Sequence, residues 1–456
     1  MLLIDMILGE EQQNALELMK VFIDISDNTA FSLTGAAGTG KSTIVNCLCD
    51  YLDKEGIPYV LCAPTHKAAL ILRKFTERET MTLHRLLALS PNIDILDLDF
   101  KDLLFKTDRK PLEFPFKGVV ICDEASMIND DLFDLLIQRS EEYCSKIVFV
   151  SDKCQLSPVK SRVVSKVYNL PSSYNLTKIY RQSSESALVD TLQTLRQFPV
   201  DRLESSFSSD GNLVCTSKMN EFLNAAKISF KKAISRSDIF EAKILAFTNE
   251  RVELHNRNIR RVLWNDNKPF HKFEFLTGYD NITYEENQFY NSMDYVISTE
   301  PEMVDIYIPR FGQLPGYRFE LYDSFYDASF PISVLDPYSI DAYTINSLAE
   351  EIEKLRLSAV SYKDTDRRKW SFLWKEYFKM INSFTCFYDL MYNNRVIRRK
   401  SFDYGYALTT HKSQGSTISN AFIDLRDINR CQDNEMKRQL QYVALSRTSK
   451  NAVVYQ

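Results

Sequence analysis

Short runs of apolar, often β-branched residues recur along the chain with helical periodicity between them: Ala30 to Leu33, Tyr59 to Ala63, Val119 to Cys122, Ile147 to Val150, Ile244 to Phe247, Ala421 to Ile423 and Ala452 to Tyr455. Such runs, alternating with helical segments, predict buried strands in parallel sheets, hence an α/β protein. Several are followed at once by Gly, Thr, Asp or Asn. Functional loops of α/β folds lie at the carboxyl ends of strands, so the chemistry is to be sought there. From about Trp264 to Lys400 the pattern changes. This stretch is rich in Tyr and Phe, has turn-like spots such as Gly312 to Gly316, and reads as a module inserted into a second α/β core. Within it Trp370, Leu373, Trp374, Tyr377, Phe378 and Ile381 share one face of an amphipathic helix, read as core packing rather than as a base-stacking surface.

Composition narrows the classes. With 456 residues the chain exceeds one ordinary core, and 45% hydrophobic and 26% charged residues describe a folded, soluble protein. A formal net charge of -5 argues against a surface coated with nucleic acid, although a local basic groove can hold a strand on an acidic protein. The nine cysteines form neither a CxxC pair nor a Cys/His cluster at zinc spacing, so reduced, cytosolic thiols are expected. The N-terminal MLLIDMIL is short and lacks a basic flank, and no apolar run reaches membrane-spanning length. No membrane partner is expected.

The strongest chemical signal is Gly35-Ala36-Ala37-Gly38-Thr39-Gly40-Lys41-Ser42, after an apolar strand and before a helical pattern that begins at Thr43. It fits the phosphate-binding loop of nucleoside triphosphatases. Glycines let backbone N–H groups curl around a phosphate, Lys41 brings a point charge to the β- and γ-oxygens, and the Ser42 hydroxyl suits Mg²⁺. Downstream, Val119 to Cys122 delivers Asp123 and Glu124 to a strand end. Asp123 is read as a direct or water-mediated Mg²⁺ partner and Glu124 as the base that orients and activates water. ATP and Mg²⁺ are the expected cofactors.

Further motifs specify the kind of ATPase. Ala63-Pro64-Thr65-His66-Lys67 and Ser151-Asp152-Lys153-Cys154-Gln155-Leu156 each follow a strand, and Tyr180-Arg181-Gln182 comes later. Near the end stand Thr410-His411-Lys412-Ser413-Gln414-Gly415-Ser416-Thr417 and Tyr442-Val443-Ala444-Leu445-Ser446-Arg447. Their order and wording resemble the superfamily 1 helicases, specifically the 5′-to-3′ RecD-like branch. The resemblance covers about the first 260 residues and the last 55, and the inserted module matches only loosely. By it Gln12 reads the adenine, Tyr180 stacks on it, Gln155 senses the γ-phosphate, Arg181 and Arg447 reach the same phosphate from the second core, and Gly415 sits beside it. It also makes Pro64, Thr65, His66, Thr82, His84, Thr248, Asn249, Thr410, His411 and Ser413 strand-tracking positions. Hydroxyls, imidazoles and amides suit such contacts, because they hold backbone without reading base identity. Ser151 and Ser449 depart from the pattern, standing where Gly and a second basic residue are usual; Lys450 can partly replace the latter.

The resemblance implies two RecA-like cores with parallel sheets: a first core over 1–190, a second over 191–263 and 401–456, and an accessory module over 264–400. A pin-like insertion at about 87–117 carries Phe100 and Phe105, either of which could stack on the last base pair of a duplex. The function implied is a 5′-to-3′ DNA helicase, working as a monomeric motor on single strands and strand–duplex junctions. Replication or recombination proteins would be its partners, and the cytoplasm its location, that of the host if the chain is phage-encoded. A superfamily 1 RNA helicase and an ATP-switched single-strand-binding module without unwinding are the alternatives.

Overall fold

The computed structural model describes residues 8–90, 106–107, 113–156, 165–180, 187–362 and 365–456. Arg181, Phe100 and Phe105 lie outside them. The chain divides into two compact units, Met1–Ser217 with Ser413–Gln456, and Lys218–Lys412.

The first unit is built on a six-stranded sheet in the order Thr80–Thr82, Tyr59–Ala63, Val119–Cys122, Lys146–Ser151, Ala30–Gly35, Ser172–Leu176. Every neighbouring pair is parallel, so all carboxyl ends lie along one edge. Alternate side chains of a strand face opposite sides, and the core divides accordingly. Phe31, Leu33, Leu61, Val119, Ile121, Val148 and Val150 pack with Met19, Ile44, Leu48 and Leu52 of flanking helices. Ala30, Cys62, Val120, Cys122, Ile147 and Phe149 pack with Leu83, Phe133 and Leu136. Helices thus cover both faces, as a fully buried parallel sheet requires.

Seven strands were expected from the apolar runs, and all seven form, with ends shifted by up to four residues. Of those assigned to the second core, Gly211–Thr216, Ile418–Asp424 and Thr448–Tyr455 belong to the first unit, where Thr448–Tyr455 pairs in parallel with both others. Ala242–Ala246 and Ala407–Thr409, also parallel, belong to the second. The α/β class with parallel sheets is therefore what the chain adopts. In the excursion at 87–117, Leu89–Ser90 pairs antiparallel with Lys106–Thr107, so the segment leaves and returns at one place.

The second unit adds an antiparallel sheet ordered Glu302–Ile308, Gly312–Asp323, Asp294–Ile297, Phe275–Gly278, Phe402–Tyr404, with Ala328–Leu335 also on Gly312–Asp323. Its aromatic richness is core filling: Phe289 meets Tyr295 and Phe402 at 5.6 Å, and Phe270 meets Phe319 at 5.1 Å. Gly312 turns with φ +78°, but Gly316 is inside a strand, where a Cβ would come within 2.7 Å of the Val334 carbonyl oxygen. The spot read as one turn is a turn followed by a close approach. In the helix Arg367–Ile381, Trp374, Tyr377 and Met380 are buried while Phe378 is exposed, so the stripe is core packing, on a narrower face than its periodicity suggests.

Candidate nucleotide site and strand-facing loops

The phosphate loop connects the buried strand Ala30–Gly35 to the helix Lys41–Glu55. That helix buries Ile44, Val45, Leu48, Cys49 and Leu52 along one face and ends at Gly56 in a left-handed cap. Gly38 and Gly40 have φ +85° and +83°, a region that favours glycine. The loop is braced from within: Thr39 Oγ1 donates to the Ala36 carbonyl at 2.9 Å, and Lys41 Nζ donates to the carbonyls of Gly35 at 2.7 Å and Ala36 at 3.0 Å. Ser42 and Thr43 open the helix beside Lys41 and are half-buried.

Two expected adenine-side residues reach this loop. Gln12, in the first turn of the helix Glu10–Ile25, is buried; its Oε1 accepts from Gly9 N–H at 3.0 Å and its Nε2 donates to the Thr39 carbonyl at 3.1 Å. Tyr180 N–H donates to the Gly38 carbonyl at 2.7 Å, and its ring lies so close to Gly9 that a Cβ there would meet its hydroxyl oxygen at 2.1 Å. The segment before Tyr180 is fixed to the same helix, because Glu11 accepts from the amides of Thr177 and Lys178 and from the Thr177 hydroxyl. The Thr177 hydroxyl, with these amides, holds the Glu11 carboxyl below its usual range. Gly40→Ala should be severe, since the new Cβ would lie 2.1 Å from Gln12 Nε2 at a positive φ. Nucleotide affinity, read by fluorescent-nucleotide titration, should fall at least about tenfold; an unchanged Kd would mean that the Gln12 bridge is dispensable.

Asp123 and Glu124 follow the buried strand Val119–Cys122. Glu124 takes a left-handed backbone, φ +51°, and its amide donates to Asp123 Oδ1 at 2.8 Å. Burial pushes both carboxyls above their usual range, and for Glu124 the charge of Asp123 adds to this while Arg447 and Lys41 oppose it. Arg447, more than 300 residues away in sequence, therefore acts on Glu124 within one unit.

Gln155 and Arg447 are each 5% exposed, and among the described residues Gln155 Oε1 and Arg447 Nε have no hydrogen-bond partner. A buried polar atom left unpaired costs ~1–3 kcal/mol, the condition expected of groups that complete their bonding on a ligand. Gly415, φ +75°, packs on Ala68 and Ile71 of the helix His66–Thr76, and Gln414 Nε2 donates to the Leu156 carbonyl at 3.5 Å. Arg181 falls outside the described residues. Among the described residues no group of three or more His, Cys, Asp or Glu is placed to hold a metal ion.

The expected strand-tracking residues form two groups, each described within its own unit. Ala63 and Thr82 are paired across adjacent parallel strands, which places Pro64, Thr65 and His66 beside Thr82 and His84. Thr65 caps the helix His66–Thr76 by accepting from Ala68 N–H, and Thr82 accepts from Arg85 N–H. A capping hydroxyl keeps its own proton to donate. Burial lowers the pKa of His66 to about 4 and also lowers that of His84, which favours the neutral imidazole in both. In the other unit Thr248 caps Asn249–Trp264, the Ala246 carbonyl accepts from Thr410 N–H at 2.8 Å and Oγ1 at 3.1 Å, and the His411 ring lies 6.3 Å from that of Phe247. Motifs some 160 residues apart thus meet. Thr410 is fully buried, leaving the cap and His411 as the more accessible parts; Ser413, also fully buried, opens the returning segment of the first unit.

Tyr442 opens the last motif in the sequence, where it was given no role of its own. Its hydroxyl accepts from Ala37 N–H at 3.1 Å and donates to Asp152 Oδ2 at 2.8 Å.

A glycine loop at one strand end, an Asp–Glu pair at the next but one, and a glutamine and an arginine aimed at the same edge define a P-loop nucleoside triphosphatase. An AAA domain family model matches residues 8–215, and a UvrD-like helicase C-terminal domain model matches 404–455. The chain is 25% identical to the ATP-dependent DNA helicase Dda of Enterobacteria phage T4, with 96% of this chain and 97% of that one aligned. It is 30% identical to the ATP-dependent RecD2 DNA helicase of Deinococcus radiodurans over 41% of this chain and 24% of the other. The solved Pif1 helicase of Candida albicans aligns with a TM-score of 0.49 at 15% identity, covering 98% of this chain and 94% of that one. Over nearly its whole length the chain is thus similar to an ATP-dependent DNA helicase.

Proposed function

We propose that this protein is an ATP-dependent DNA helicase that moves 5′ to 3′ along single-stranded DNA and opens duplex ahead of it. The observation that carries the reading is the meeting, in one unit, of the phosphate loop, Glu124, the Asp152–Gln155 turn and the Arg447-bearing helix. An arginine on γ-phosphate from a distant part of the chain makes hydrolysis depend on how the chain is closed, and closure can then drive movement. In this reading Glu124 takes the proton of the attacking water, and Lys41, Gln155, Arg181 and Arg447 hold the transferring phosphoryl group. Gln12 and Tyr180 orient the base. Ser42 and Asp123 would hold Mg²⁺, which supplies positive charge to the phosphate oxygens; so few protein ligands suit a cation shared with phosphates.

We assign a first RecA-like core to 1–190, a second to 191–263 and 401–456, and an accessory module to 264–400. The protein works as a monomeric motor in the cytoplasm, with replication or recombination proteins as partners. Among the described residues no helix is long and apolar enough to cross a membrane.

The test is unwinding of 5′-tailed, 3′-tailed and blunt duplexes, each as DNA and as RNA. Opening of 5′-tailed DNA alone is expected; preference for RNA or for 3′ tails would overturn substrate or polarity, and strand-stimulated ATPase without unwinding would leave a binding switch. Strand affinity should weaken with salt at a slope of about −0.7 per phosphate contact, with little sequence preference. Strong preference for one short sequence would instead mark a specific binding protein.

A further inference from the structure

We propose that Tyr442 is a positioning residue whose single hydroxyl fastens the Arg447-bearing helix both to the phosphate loop and to the turn that carries Gln155. The inference deepens the motor reading above and rests on it. Its direction is fixed by chemistry: a carboxylate only accepts and a backbone amide only donates. The Tyr442 proton must therefore go to Asp152 Oδ2, at 2.8 Å, and a hydroxyl lone pair takes Ala37 N–H, at 3.1 Å. The side chain is 1% exposed, so water does not compete for either bond.

Each partner belongs to a different part of the machinery. Ala37 is inside the phosphate loop, two residues after its first glycine. Asp152 shapes the next loop: its Oδ1 accepts from Cys154 N–H at 2.9 Å, and its carbonyl accepts from Gln155 N–H at 3.1 Å and from the Tyr168 hydroxyl at 3.2 Å. The orientation of Gln155, whose Oε1 is unpaired among the described residues, follows from that turn. Tyr442 itself sits on the helix Asn434–Ser446, five residues before Arg447, about 7.5 Å along the axis. Other residues hold this helix from behind. Arg438 donates to the carbonyls of Leu195 and Arg196, and Gln441 exchanges hydrogen bonds with Val200 at 2.7 and 2.9 Å. A shift of this helix by an ångström would break a bond at Tyr442 before it moved the arginine away. The hydroxyl therefore links the position of Arg447 to the shape of the phosphate loop and the Gln155 turn.

Tyr442→Phe keeps the ring and its packing and removes only the hydroxyl. It should lower strand-stimulated kcat about tenfold while leaving the KM for ATP within about threefold. Asp152→Asn should act through the same link, so the double variant should be no slower than the slower single, a non-additive cycle. Thermal melting of each variant separates this from a packing role. A parental kcat in Tyr442→Phe overturns the proposal, as does a lowered Tm with unchanged kcat, or a double variant whose loss is the product of the two single losses. Strand stimulation of the parent is measured first. Its absence would defeat the motor reading, while the same cycle on basal turnover would still decide the role of Tyr442.

Discussion

Glu124→Gln is expected to bind ATP and single-stranded DNA as the parent does and to lose about three orders of magnitude in strand-stimulated turnover. The amide matches the carboxylate in shape but cannot accept the proton of the attacking water, and a positioned general base contributes ~10²–10⁴-fold. The surroundings favour that role. Burial and the charge of Asp123 raise the Glu124 carboxyl, which makes it a better base, while Arg447 and Lys41 keep that rise in check. The fold should tolerate the change, because it removes the charge of one of two neighbouring half-buried carboxylates. The measurement pairs nucleotide and strand titrations with steady-state ATPase on saturating single strand. Turnover within a few-fold of the parent would transfer the base to another residue, and lost ATP binding would make Glu124 a ligand rather than a base.

The parts of the fold legible in the sequence were those whose physics is local. Apolar runs of three to five residues form every strand they predicted, because a strand buried on both faces must be apolar throughout. The strands missed carry less signal. Ser172–Leu176 lies at the edge of its sheet, alternates half-buried and exposed positions, and reads as Ser-Ser-Tyr-Asn-Leu, while Thr80–Thr82 has only three residues. Gly316 misled for a related reason: glycine marks tight turns and close approaches alike, and only the neighbouring strand tells them apart.

The candidate site was legible where one motif holds its own chemistry, as in the phosphate loop and the Asp123–Glu124 pair. What could not be read was the bonding between motifs. In the sequence Tyr442 is an aromatic on a buried helix face; its partners stand 290 and 405 residues away. Gln12 was placed by resemblance on the adenine, and the structure gives it a further task, holding the Thr39 carbonyl. Threonines expected to touch the strand turn out to be helix caps, a local role that three of them, Thr65, Thr82 and Thr248, share. Each accepts from an amide in the first turn of its helix.

Arg447→Ala separates activity from stability in a way few substitutions do. Arg447 is 5% exposed, and among the described residues its Nη2 reaches only Ser446 Oγ, at 3.4 Å, while its Nε has no partner. Burying a charge this poorly bonded opposes folding, and the field of Glu124 offsets only part of that cost. An arginine that served structure would be better satisfied. The backbone around it is firm: its N–H donates to the Val443 carbonyl at 3.2 Å and its carbonyl accepts from Ile418 N–H at 2.8 Å. The side chain is thus presented from a rigid helix end with donors to offer, and a planar fork of donors matches phosphate oxygens. Arg447→Ala should therefore lower strand-stimulated kcat by about 10³ or more, leave the Kd for ATP within a few-fold, and keep or raise the Tm. Arg447→Lys should recover little, because a point charge on a flexible stem cannot reproduce the fork. If the alanine variant instead melts well below the parent and its activity falls only in step with the folded fraction, Arg447 is a structural residue and the phosphate must be met from elsewhere, with Arg181 the first to examine.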